Sequence, residues 1–371
     1  MKSVLLSAIA LPVTALAFAT AASAQSTNSG NAPSERPPVF TAPSNQAPPR
    51  AAPDMQRVLD ALGRLGAKPI HTQSPAEVRA GPTPADAVKA VMEQRGMSTA
   101  PDGRVTTRDL TYGSDPWQKA RIYRPAAAPR GRPLPLIVYY HGGGWVIADL
   151  DVYDSTPRML AEKTGALVVS VEYRHAPEAK FPAQHDDANM AYRWALQNAR
   201  GWGANPNRLA LVGESAGGNL AINVAMMARD SGLAQPRHIV AVYPIANART
   251  DLPSRMTGAN AKPLSTPDLP WFGYYYGRSP ADQQDPRINL VRANLRGLPP
   301  VTIVSAQIDP LLSDGNTLAA ALRRAGVAVD QRLFVGVTHE FFGMGKVVAG
   351  ARQANAYAVA RLAPALAPRG R

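Results

Sequence analysis

The spacing of apolar residues changes period along the chain, and the changes divide it into regions. Met55, Val58, Leu59, Leu62 and Leu65 recur at helical spacing, which predicts a helix over 54–65. After a Pro-containing break, Ala87, Val88 and Val91 mark the inward face of a second helix over 84–97. From residue 104 the pattern becomes strand-like, at 104–112, 117–123, 134–140, 166–173, 208–213, 238–243, 300–305 and 329–335. Four of these segments, LPLIVYY, ALVVSVEY, RLALVG and HIVAVYP, are nearly continuous apolar runs, as expected of strands covered on both faces. Helical stretches fall between and after them, at 181–199, 215–229, 316–325 and 347–362. This alternation predicts an α/β protein: a mostly parallel eight-stranded sheet with helices on both faces. The two helices ahead of the first strand are candidates for a lid.

The first 24 residues read as a secretory signal. Lys2 precedes an apolar run from Val4 to Thr20, and Ala22-Ser23-Ala24 supplies a small-x-small cleavage site before Gln25. The run is too short for a membrane anchor, so a periplasmic or secreted protein without stable membrane insertion is expected. Residues 25–52, rich in Pro, Ser, Asn and Ala, read as a disordered leader. Residues 53–371 then form a single domain. The absence of cysteine removes both disulfides and a lipid-attachment point. Forty Lys and Arg against 27 Asp and Glu give a formal charge of +13, which raises the question of a nucleic-acid partner. The charges are scattered single arginines, with no basic run, zinc spacing or aromatic RNA-binding signature, so no nucleic-acid partner is expected. The oligomeric state is open, a homodimer included.

The chemistry concentrates in a few segments. Gly213-Glu214-Ser215-Ala216-Gly217-Gly218 directly follows an apolar strand and opens a helix. The Gly-x-Ser-x-Gly pattern recurs by chance; its position between strand and helix is what suggests a nucleophile on a tight turn. His141-Gly142-Gly143-Gly144-Trp145 caps another apolar strand. Its bare N–H groups at Gly143 and Gly144, with that of Ala216, are candidates to hold an oxyanion. His141 reads as a loop-shaping residue. Of the histidines after Ser215, His238 opens an apolar strand, whereas His339 sits in a loop after one and is the candidate base. Asp309, in the loop after the strand at 300–305, is the candidate acid; Asp314 reads as a helix N-cap. Glu214 is expected to point away from Ser215, as a supporting group or a tentative substrate contact. His185-Asp186-Asp187 invites a metal reading, but acids in a first helical turn are accounted for by the dipole. Neither a metal nor an organic cofactor is expected.

These segments resemble the bacterial hormone-sensitive-lipase-like carboxylesterases of the α/β-hydrolase superfamily. The resemblance runs from about Met55 to Leu362 and includes Tyr173-Arg174-His175-Ala176-Pro177-Glu178, Asp309-Pro310-Leu311 and His339-Glu340-Phe341-Phe342. It implies an α/β-hydrolase fold, a triad of Ser215, Asp309 and His339, and a small-molecule ester substrate. It also implies a helical cap built from about 54–97 and 252–290. The second cap segment carries Trp271, Phe272, Tyr274, Tyr275 and Tyr276; Trp271 and Phe272, with Trp145, are tentative substrate contacts, and packing of the cap is the competing role. Two positions depart from the family pattern: Glu214, where Asp or Thr is usual, and His175, where Leu is usual. The same triad serves amidases and peptidases, and the motifs do not separate these from esterases. A non-catalytic ligand receptor on this fold would typically lack the histidine that stands at 339.

Overall fold

The computed structural model describes residues 49–128 and 131–368, so the expected signal segment, and all but the last four residues of the leader, lie outside the described residues. Among the described residues, three α-helices precede the first strand: α1 (Pro53–Arg64), α2 (Pro75–Ala80) and α3 (Pro84–Gln94). α2 and α3 each start on a capping box, Ser74 with Glu77 and Thr83 with Asp86, which satisfies N–H groups that a helix start leaves unpaired. The strands are β1 (Val105–Thr111), β2 (Lys119–Pro125), β3 (Leu134–Tyr140), β4 (Leu167–Val171), β5 (Ala204–Glu214), β6 (His238–Val242), β7 (Val301–Ile308) and β8 (Val329–Thr338). They form one eight-stranded sheet in the order β1-β2-β4-β3-β5-β6-β7-β8. β2 runs antiparallel to both neighbours and the remaining pairs are parallel, as the alternation of strands and helices predicts.

Seven further α-helices lie among the described residues: α4 (Ser155–Thr164), α5 (Ala183–Asn198), α6 (Ala216–Asp230), α7 (Pro253–Thr257), α8 (Asp268–Tyr276), α9 (Leu312–Arg324) and α10 (Ala349–Leu366). The two-residue period of the strands sorts their side chains between two cores. Leu136, Val138, Leu209, Leu211 and Ile303 face α5, α6 and α9, whereas Ile137, Tyr139, Ala210, Val212 and Val304 face α4 and α10. Both faces of the central strands are therefore buried, which is why their sequences carry almost no polar positions.

The stretch before the first strand packs inward. α1 buries Met55, Val58, Ala61 and Leu62 and leaves Arg57, Asp60 and Arg64 exposed. Full burial of each large apolar side chain contributes about 1.5–3 kcal/mol. Asp54 accepts the N–H of Ala349 at 2.7 Å, joining α1 to the start of α10. The segments 54–97 and 252–290 also meet each other: Asp268 accepts both the backbone N–H and the ring Nδ1 of His71, and Trp271 Nε1 donates to the carbonyl of Gln73. No helix among the described residues is long and apolar enough to cross a membrane.

Several expectations change, among them the following two. α9 starts at Leu312, four residues before its predicted start, so Asp314 lies inside the helix and is not its N-cap. Gly315 reads as a helix break in the sequence, but here it permits close packing: a Cβ there would lie 3.2 Å from Ser305 Oγ and 3.4 Å from Ile303 Cγ2. Asp314 is fully buried, accepts the N–H groups of Ala246 and Asn247, and pairs with Arg255 at 2.9 Å. The helix α4 is the second difference, since the periodicity reading has no element between 140 and 166.

Candidate active site

The site forms where β5, β7 and β8 end. Ser215 occupies the turn between β5 and α6 with φ 55°, a backbone conformation that is costly for a side chain with a Cβ. The surrounding packing enforces it. A Cβ on Gly213 would stand 2.1 Å from the Gly217 carbonyl oxygen, and one on Gly217 would stand 2.0 Å from that of Tyr140. Glycine is required at both positions because backbone has to cross backbone there. The Ser215 N–H donates to Val242 O at 2.9 Å, which fixes the turn to β6.

β8 ends at Thr338 and delivers His339 to this turn. Its Nε2 lies 3.0 Å from Ser215 Oγ, and its Nδ1 lies 2.8 Å from Asp309 Oδ2. The other oxygen of Asp309 accepts the N–H of Leu311 at 2.8 Å, so the carboxylate is held at both ends. Ser215, Asp309 and His339 are all buried. Burial pulls the imidazole pKa down, but the charge of Asp309, with smaller contributions from Glu340 and Glu214, outweighs it, and the result is raised above the ordinary value. This arrangement can remove a proton from the serine hydroxyl and stabilise the imidazolium that forms.

The glycine loop lies alongside. Gly143 and Gly144 adopt φ 94° and 58°, and neither N–H finds an acceptor among the described residues. The Ala216 N–H, at the first position of α6, has no helical carbonyl to bond. Three tethers hold the loop. Arg79 of α2 donates from Nε to Val146 O at 2.8 Å and from Nη2 to Ala176 O at 2.7 Å. The Tyr173 hydroxyl donates to His141 O at 3.0 Å. The ring of Phe272 closes the third side, where a Cβ on Gly144 would come within 2.2 Å of it.

The remaining expected contacts sort differently. Trp145 is 2% exposed and stacks on Tyr276 at 4.2 Å, so it supports the loop from behind and presents no face to a substrate. Trp271 is 1% exposed and committed to Gln73 and to an edge contact with Phe272; it anchors α8. Glu214 is also enclosed: Tyr139 donates to it at 2.6 Å and Tyr243 occupies its other oxygen. Burial, with the nearby charge of Glu340 adding to it, pushes Glu214 up to about 7. Its carboxylate is thus committed to the two tyrosines, whereas the ring of Phe272 lies against Gly144. His185 and Asp187 do not converge on a common point: His185 meets Asn219 and Tyr276, and Asp187 pairs with Arg174. Sequence reasoning missed Arg79, Tyr139, Tyr153 and Tyr243. Tyr153 donates to Glu340 at 2.6 Å, beside the base. No local pattern distinguishes these residues, because their partners come from distant parts of the chain.

A sequence profile of the family described as alpha/beta hydrolase fold matches residues 137–343, a span that holds the glycine loop, Ser215, Asp309 and His339. The ethyl acetate hydrolase of Pseudomonas putida is 34% identical over 302 residues, covering 80% of this chain and 93% of that protein. The carboxylesterase NlhH of Mycobacterium tuberculosis is 36% identical over 270 residues, covering 72% and 84%. Among solved structures, a hyperthermophilic esterase from the archaeon Pyrobaculum calidifontis superposes with a TM-score of 0.74 at 32% identity, covering 86% of this chain and all of that one.

Proposed function

Because the chain belongs to the alpha/beta hydrolase fold family, in its hormone-sensitive-lipase-like branch, and is a carboxylic ester hydrolase, we propose that it cleaves esters through an acyl-enzyme on Ser215. The observation that carries this reading is the hydrogen-bonded line from Ser215 Oγ through His339 to Asp309, on the strained turn between β5 and α6. Ser215 Oγ attacks the ester carbonyl while its proton passes to His339 Nε2. Asp309 keeps the Nδ1 proton in place and stabilises the imidazolium. The N–H groups of Gly143, Gly144 and Ala216 donate hydrogen bonds to the developing oxyanion. His339 then returns its proton to the departing alcohol. Water, deprotonated by the same imidazole, attacks the acyl-enzyme; the acyl bond to Ser215 Oγ then breaks, the serine takes the proton back from His339, and the acid is released. These steps draw on no cofactor.

We further propose short- to medium-chain esters as substrates. An interfacial lipase needs a broad apolar face to meet lipid. α1 instead turns its apolar stripe into the protein and shows charge outward, which supports a lid packed over a closed pocket. In an acyl-chain series of p-nitrophenyl esters, kcat/KM should peak at short to medium chains and fall for long ones. The rate on a triglyceride series should pass smoothly through the solubility limit. A preference for emulsified long-chain substrates, with a rate jump at the interface, would overturn the packed-lid reading.

A further inference from the structure

Behind the glycine loop lies a group of side chains that the ester chemistry does not use. His141 follows β3, and Glu172 and His175 follow β4; all three are buried, with at most 2% exposed. Glu172 Oε1 stands 3.1 Å from His141 Nε2 and 3.2 Å from His175 Nε2. One donor atom from each residue lies within 4.8 Å of the other two. A tetrahedral cation with ligand bonds of about 2.0–2.1 Å separates its donors by about 3.3–3.4 Å, so two of the three edges already have the right length.

Two hydrogen-bonding features point to a cation. His141 Nδ1 is 2.8 Å from the carbonyl oxygen of Gly142, which can only accept, so the ring proton belongs on Nδ1. Nε2 faces Glu172 Oε1 at 3.1 Å, so either a proton, which makes the ring an imidazolium, or a cation has to lie between them. A histidine that ligates a metal through one nitrogen commonly donates the other N–H to a backbone carbonyl in this way. His175 supplies the second feature. Neither of its ring nitrogens has a hydrogen-bond partner: Nε2 is within ion-pair distance of Glu172 but lacks hydrogen-bond alignment. A buried polar atom without a partner is costly, and a cation among the three donors would remove that cost.

The ligands are also held firmly. His141 stacks on Tyr173 at 4.4 Å, His175 packs on Trp117 at 4.6 Å, and the second oxygen of Glu172 accepts the N–H of Leu150 at 3.1 Å. Two imidazoles and one carboxylate suit a borderline divalent ion of the zinc class, with solvent in the fourth position. We propose that His141, Glu172 and His175 bind one such ion as a structural clamp. It would join the start of the glycine loop to the segment after β4, at some distance in role from the triad, which works without it.

Metal content tests this independently of ester hydrolysis. Full-length protein, grown with zinc in excess and freed of any affinity tag, should carry about one zinc-class ion per chain by inductively coupled plasma mass spectrometry. Growth with cobalt should give the visible absorption of low-symmetry Co2+. His175→Leu should lower the metal at least about tenfold while far-UV circular dichroism stays native, because leucine fills a similar volume and two ligands hold a metal poorly. His238→Ala, outside the cluster, should keep the full equivalent. Wild-type protein that holds no transition metal after growth in excess zinc overturns the proposal, whether or not the variant folds. So does a folded His175→Leu protein that retains its ion.

Discussion

Ser215→Ala should lower kcat by about six orders of magnitude, with KM changed little. In the proposed mechanism the hydroxyl forms the acyl-enzyme, and nothing else on the turn can replace it. The loss corresponds to about 8 kcal/mol of transition-state stabilisation. The N–H groups of Gly143, Gly144 and Ala216 stay in place, so a residual rate above the uncatalysed one should persist. Stability should hold or improve slightly, since alanine keeps the Ser215 N–H bond to Val242 and leaves the turn unchanged. Active-site titration of the purified variant, beside a steady-state assay, measures this. A variant that keeps more than a few per cent of wild-type kcat would remove Ser215 from the mechanism.

The second largest effect separates two buried acids. Asp309→Asn should lower kcat by about four orders of magnitude, because an amide cannot hold the His339 Nδ1 proton and stabilise the imidazolium as the carboxylate does. It should also move the acidic limb of the kcat/KM profile. Asp309 is the main group that raises the imidazole pKa, so its loss lowers that pKa and shifts the limb to lower pH. Asp314→Asn should leave kcat close to wild type and cost stability instead. Asp314 neutralises buried Arg255, and a buried charge deprived of its partner costs about 3–5 kcal/mol. Thermal melts and pH–rate profiles of the two variants distinguish the roles. A catalytic loss in Asp314→Asn with a healthy Asp309→Asn would exchange them.

How much of this was legible in the sequence follows from which forces are local. β3 and β4 read clearly because burial on both faces leaves apolar residues at nearly every position. β8 reads short because Gly336, with φ 72°, looks like a strand end, yet the strand continues through it to Thr338 and delivers His339. α9 reads late for the same reason: a glycine whose purpose is close packing on β7 resembles a break. α4 is absent from the periodicity because two of its four buried positions are Thr156 and Pro157, which do not read as an apolar helical stripe. Ser215, the glycine loop, Asp309 and His339 could be singled out in the sequence because each sits at the end of a readable strand. Their supports could not. Arg79 lies far from Val146 in sequence, and the tyrosines around Glu214 and Glu340 are chosen by packing alone. The tentative substrate contacts are hard to read for a related reason: an aromatic cluster has the same composition whether it lines a pocket or anchors a helix. Trp145 and Trp271 do the latter.

The central claim is that one serine, poised against His339 and Asp309, carries the acyl group. It is tested most directly by a p-nitrophenyl phosphonate, which transfers its phosphonyl group to an activated nucleophile and stops there. One equivalent should add to the intact mass of the chain, activity should fall in proportion, and peptide mapping should place the adduct on Ser215. Labelling at any other residue, or ester hydrolysis that continues unabated in protein that takes up no label, would contradict the account.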